Sequence, residues 1–209
     1  IRDSCRMTRK IWLAGQVVYI VCATAIYTVA ILLSTILICG QRCYVGNIWS
    51  ETAVKLAFTS AGKKLSLAAS EKTLELTRPY ACMTTIFFLL FAYALVMVLL
   101  IFWFRILWNE LAGMIAGVVF NGISFIFSPG ILQKLLGISE RKSYLANVAA
   151  GWISPLSHAT YHLHNFGYDR LPSLRDSGIY DMVLVIMLIL LNLYSIRTYH
   201  FVFDGTGER

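Results

Sequence analysis

Four long runs of the chain carry no formal charge: residues 11–41, 79–104, 111–133 and a shorter one at 182–196. A bilayer core of about 30 Å takes about 20 helical residues to cross, so the first three runs are long enough to span it. The fourth reaches that length only by taking in Asp181. The pattern predicts an all-α polytopic transmembrane helical bundle, one transmembrane domain over residues 1–209, with spans over 13–39, 81–105, 111–132 and 178–197. The first run exceeds one crossing, which predicts a helix that tilts or extends beyond the hydrocarbon.

The segments between the runs, residues 41–78 and 134–176, are outer segments with patterns of their own. Trp49, Ala53, Leu56 and Ala57 fall at helical spacing, and Leu67, Leu74 and Leu76 do so more loosely. They predict one or two surface helices, broken near Gly62-Lys63-Lys64. Pro79 suits the first turn of the second span, where its missing N–H is no loss. Residues 105–110 leave room only for a tight connection, so the second and third spans are antiparallel neighbours, with Trp103 and Trp108 as interface anchors. Residues 144–152 are uncharged but too few to cross. With Trp152, Ser154, Pro155 and His158 they predict a re-entrant or interfacial segment before the last span.

Within the third run, Gly113, Gly117 and Gly122 offer small residues that let helix backbones approach closely. Packing inside the bundle and contact with another subunit both fit them. Asp181, one turn inside the predicted last span, either faces the headgroups or is a buried functional carboxylate.

Composition agrees with the pattern, with 58% hydrophobic and 14% charged residues among 209 and a mean hydropathy of +0.68. The chain opens at Ile1 and reads as an amino-terminally incomplete piece of a longer protein, with no recognisable signal peptide. Its net charge of +7 belongs to membrane flanks and anionic lipid rather than to nucleic acid. Four crossings put seven Lys and Arg on the side of the start and tail and eleven on the side of the long outer segments. The dense basic start lies next to a span end, where such charges weigh most, so the start and the carboxy terminus are expected in the cytoplasm, in a multi-pass protein of the cytoplasmic membrane. Cys5, Cys22, Cys39, Cys43 and Cys82 are scattered. Cys39 and Cys43 have the spacing of a small disulfide but also suit reduced packing residues, and no second pair completes a zinc set.

Sites for chemistry are sparse. No phosphate loop, nucleophile elbow or His-Glu-x-x-His helix is present, and no catalytic residue is assigned. His158, His162 and His164 form the one cluster resembling a metal site. On a helix His158 and His162 would share a face, yet no Glu stands nearby as a base, and polar residues of a membrane interface explain them as well. No cofactor or metal of the chain's own is expected. A membrane metalloenzyme and a noncatalytic scaffold stay open as alternatives.

The order of parts is informative as a whole. Arg9-Lys10-Ile11-Trp12-Leu13-Ala14-Gly15-Gln16 leads into a long span; an outer segment follows with Trp49 and Leu56-Ala57-Phe58-Thr59. A tight turn, Trp152-Ile153-Ser154-Pro155-Leu156-Ser157-His158 and a closing span ending Tyr199-His200-Phe201-Val202-Phe203 complete it. This layout resembles the carboxy-terminal four spans of a six-span permease of the type 2 ABC transporter family, over essentially the whole chain. The resemblance implies an ATP-driven transport subunit that pairs with a second permease copy, as homo- or heterodimer, and with an ABC ATPase subunit that binds the ATP and magnesium. It implies that residues 2–10 couple to that ATPase, through Arg6, Arg9 and Lys10. Keeping the segment inside by charge is an equal reading of those three cations.

Overall fold

The computed structural model describes residues 8–40, 46–59, 62, 70–167 and 169–198. Arg6, Cys5, Cys43, Leu67, Lys63, Lys64 and the 199–203 end of the chain lie outside the described residues. The described part is helices joined by turns and short connections, with no strand. Three helices are long and apolar enough to cross a membrane: α1 (Arg9–Cys39), α4 (Pro79–Leu107) and α9 (Leu174–Ser195). Between α1 and α4 lie the short α2 (Glu51–Phe58) and α3 (Glu71–Leu76). Between α4 and α9 come α5 (Glu110–Ile126), α6 (Pro129–Leu135), α7 (Ser143–Ile153) and α8 (Pro155–Ala159), with 3-10 turns at Glu140–Lys142 and Tyr161–Leu163.

Local chemistry starts each long helix. Thr8 caps α1, Asn109 accepts from the Ala112 N–H at 2.8 Å to cap α5, and Pro79 takes the first position of α4. Ser173 and Asp176 form a reciprocal capping box on α9, so that helix begins at Leu174, four residues earlier than hydropathy alone predicts. At about 1.5 Å per residue, α1 is about 46 Å long and outreaches the hydrocarbon core, as its uncharged run predicts.

The third predicted span is not one helix over 111–132. It stops at Ile126, and α6 sets off at 72° to α5. The cause is Ser128-Pro129: a residue before proline avoids helical backbone, and Ser128 is extended at φ −63°, ψ 147°. With 17 residues α5 alone is about 25 Å long, and with its bent continuation it has the form of a broken span or a re-entrant pair.

α4 is the spine, in contact with α1, α5 and α9. Ile20 of α1, Leu95, Val96 and Leu99 of α4 and Leu188 of α9 form the central core. Leu13, Ile106 and Ile196 close one end, and Cys82, Leu89 and Tyr161 the other. Polar bonds join the same helices: Trp103 donates to Ser195 Oγ at 3.0 Å, so this indole serves the bundle, while Trp108 remains exposed. Tyr93 of α4 donates to Asn121 of α5 at 2.6 Å.

Two of the three glycines of α5 sit where that helix meets α4. A Cβ on Gly113 would come within 2.7 Å of the Ile101 carbonyl oxygen, and one on Gly117 within 3.0 Å of the Ile101 side chain, whereas Gly122 has open space. The first two are packing residues inside the chain. Gly113→Ala is therefore expected to force α4 and α5 apart and destabilise the protein by about 1–3 kcal/mol, while Gly122→Ala changes stability by less than about 0.5 kcal/mol. Thermal unfolding of the two variants in detergent checks this; equal midpoints would contradict it.

Candidate functional site

The end of the bundle marked by Cys82, Leu89 and Tyr161 is closed by a cap made from the segment before α9. α7 is held against α6 by Leu132, Ala146 and Ala150, with Gly151 pressed onto the Leu171 side chain. At Ser154 the backbone turns extended, and Pro155 starts the single turn of α8. α8 is short but central, since it touches α4, α5, α7 and α9. Its first free N–H, at Leu156, donates to Ser124 Oγ on α5 at 3.2 Å. Trp152, half exposed, donates through its indole N–H to the Arg170 carbonyl at 3.1 Å. Lys72 of α3 is ion-paired with Asp169. The sequence-predicted re-entrant residues are thus brought together: Ser154, Pro155 and His158 buried, Trp152 at the rim.

His158 and His164 have no exposed surface, and both point at Ser177, which has none either. Ser177 Oγ lies 2.8 Å from His158 Nδ1 and 2.8 Å from His164 Nε2. The outer nitrogens meet carbonyls: His158 Nε2 is 3.1 Å from the Trp152 oxygen, and His164 Nδ1 is 3.0 Å from that of Thr160 and 3.1 Å from that of Tyr161. The His158 ring stacks on Tyr180 at 4.1 Å. His162 does not join them. α8 ends at Ala159, so His158 and His162 share no helix face, and His162 lies half-buried along a cavity of about 490 Å³ that Lys72, Ser128, Asn147 and Ser157 also line.

A carbonyl only accepts, so each outer nitrogen must carry a hydrogen. Four gaps then run in line: carbonyl to His158, His158 to Ser177, Ser177 to His164, and His164 to the carbonyl pair. Each needs one hydrogen. Two neutral imidazoles and one hydroxyl supply three, so one gap sets lone pair against lone pair. One added proton completes the chain, and a second has no gap to fill. The group therefore binds a single proton as a unit. Burial opposes that charge and pushes both rings below their ordinary 6.5; the mutual repulsion of the rings adds to this at His158, while carbonyl bonds and the Asp176 carboxylate pull back up. His162 is lowered too, by burial and then by His164.

The nitrogens of His158 and His164 are engaged as hydrogen-bond partners rather than left open as ligands. Among the described residues no group of three His, Cys, Asp or Glu is placed to hold a metal ion. The arrangement is a polar clamp that fastens the cap to α9. Of its parts, Ser177 and the capping box were missed by the sequence reading. The spacing Ser173-x-x-Asp176 was the available signal, because it fixes the start of α9 and with it the direction of Ser177.

At the far end of the bundle, the Arg9 guanidinium donates to the Arg197 carbonyl, bringing the start of α1 beside the end of α9. Lys10 lines the same cleft.

A ring value lowered in the folded state means that the unfolded chain takes the proton first. The clamp's contribution is full above about pH 6.5 and is lost as pH falls below that toward the folded values. ¹⁵N-histidine spectra are expected to show His158 and His164 changing together, below pH 6.5, with uptake of one proton between them; two independent full titrations would contradict the count. Ser177→Ala, which strips the shared partner from two buried nitrogens, is expected to cost about 1–3 kcal/mol in thermal or denaturant unfolding.

Compared with protein-family models, curated proteins and solved structures, the chain matches none.

Proposed function

We propose that the chain is the permease subunit of a type 2 ABC transporter, moving a substrate across the cytoplasmic membrane while a separate ATPase subunit hydrolyses ATP. The observation that supports this reading is the cleft between the start of α1 and the end of α9. Arg9, Lys10 and Arg197 stand around a floor of Leu190, Leu193 and Tyr194, enclosing about 680 Å³. Cations around an apolar floor suit docking onto an acidic partner surface. From this cleft α1 runs unbroken for 31 residues, a lever stiff enough to carry a displacement from one face of the bilayer to the other. The α4 core against which it lies would move with it.

On this reading Arg9 and Lys10 belong to the coupling surface; Arg6, assigned with them from the sequence, lies outside the described residues. The basic residues beside the span end put the start and the carboxy terminus in the cytoplasm. ATP and magnesium are held by the ATPase, and a second permease copy completes the pathway. The exposed face of α5, with Val118, Phe125 and the open Gly122, is available for that copy. Engaged nitrogens in the histidine clamp give the metalloenzyme alternative no comparable support.

Co-expression of the full-length protein with ABC ATPase subunits from its own genome tests the reading. The expected outcome is an ATPase that copurifies and is stimulated by the wild-type chain, with stimulation falling at least about tenfold in the Arg9→Glu, Lys10→Glu double variant while thermal unfolding is unchanged. Failure of any such ATPase to bind, or full stimulation by the reversed variant, would contradict it.

A further inference from the structure

Asp181 is the one carboxylate among the side chains lining a groove between α4 and α9, and it is only 5% exposed. Its Oδ2 is buried and meets no hydrogen-bond donor among the described residues. Seven residues into α9, it lies about 10 Å along the helix from its start. The groove holds about 450 Å³, and apart from Asp181 and Thr85 its side chains are apolar, among them Phe88, Leu95, Met182 and Val185. The Thr85 hydroxyl already donates to the Ala81 carbonyl, so it does not answer the carboxylate. Phe88, Met182 and Ile186 are more than half exposed along these helices, so the groove opens sideways, where lipid lies, rather than upward through the cap.

A buried acidic group in a membrane helix with no partner is costly, and it persists where something completes it. We infer that the groove is a binding site for a lipophilic amine, an apolar body carrying one protonated nitrogen. The nitrogen sits against Asp181 and the body replaces lipid between Phe88, Leu95 and Val185. Charge complementarity selects the nitrogen: the groove holds an acceptor that lacks a donor, and no cation lines it. Its volume is that of a small-molecule site, about 300–1,000 Å³, whereas a packed helix takes a seam along many turns. Sideways access suits a ligand that first partitions into the bilayer. The inference does not depend on the transport reading, because binding at Asp181 requires no ATPase.

The test uses the full-length protein in lipid nanodiscs with radiolabelled dodecylamine as the probe. Saturable binding is expected, displaced by N,N-dimethyldodecylamine, whose protonated nitrogen keeps one N–H, and not by dodecanol or dodecanoate. Asp181→Asn, checked for an unchanged unfolding midpoint, is expected to weaken it by at least about tenfold. Val185→Trp, which fills the groove without touching the carboxylate, is expected to abolish it and serves if the first variant fails to fold. Equal binding by Asp181→Asn, or equal displacement by dodecanol, would overturn the site. So would a Met182→Cys variant that cross-links to a second copy of the chain and is not protected by the amine, since a neighbouring helix would then be the occupant.

Discussion

The hydroxyl of Ser177, held between His158 and His164, is the contact on which the capped end of the molecule depends. The cap is built from short pieces that could not hold together alone: α8 is a single turn, and the segment after it makes only a 3-10 turn before α9. What gives these pieces one position is a buried polar clamp on a helix that itself belongs to the membrane core. Low dielectric makes such a network strong when complete and expensive when one member is lost. The clamp's hydrogen count adds a second property. Three hydrogens for four gaps leave the neutral clamp one short, yet burial opposes the proton that would complete it, so the clamp contributes most at neutral pH and least in acid.

The rest of the bundle is organised around α4 by the same rule, that polar groups in a membrane must be answered inside the protein. Trp103 with Ser195 and Tyr93 with Asn121 tie α4 to its neighbours, while Gly113 and Gly117 let α5 come close enough for dispersion to act. Asn192, fully buried, donates back to the Leu188 carbonyl of its own helix. Asp181 Oδ2 and Asn192 Oδ1 both depart from the rule, and of the two it is the carboxylate that lines a groove. The two ends of α9 thus have different work: its start holds the cap, and its end, through Arg197, meets the start of α1.

Much of this was legible in the order of residues. Runs without charge located α1, α4 and α9 because removing charged groups from hydrocarbon dominates every other local preference. The tight turn at 105–110 and the short run at 144–152 were readable for the same reason, as lengths. The break at Ser128-Pro129 was not, since hydropathy is blind to backbone angles, although the dipeptide states them. The histidines show the limit more sharply. A spacing of four suggested His158 with His162, but Pro155 starts a helix that ends at Ala159, and the partner of His158 is Ser177, 19 residues on. Which side chains meet across a cap is set by tertiary packing, and no spacing within one segment records it. Asp181 was readable as a choice between surface and interior, and only burial decided it.

Amide hydrogen exchange in lipid nanodiscs tests most directly whether Ser177 holds the cap. The amides of Ser157, Thr160, Leu163 and His164, bonded within the cap, are predicted to be protected in the wild-type protein at neutral pH and to exchange at least about tenfold faster in Ser177→Ala, with those of α4 unchanged. Cap exchange indifferent to the loss of that hydroxyl would contradict the account.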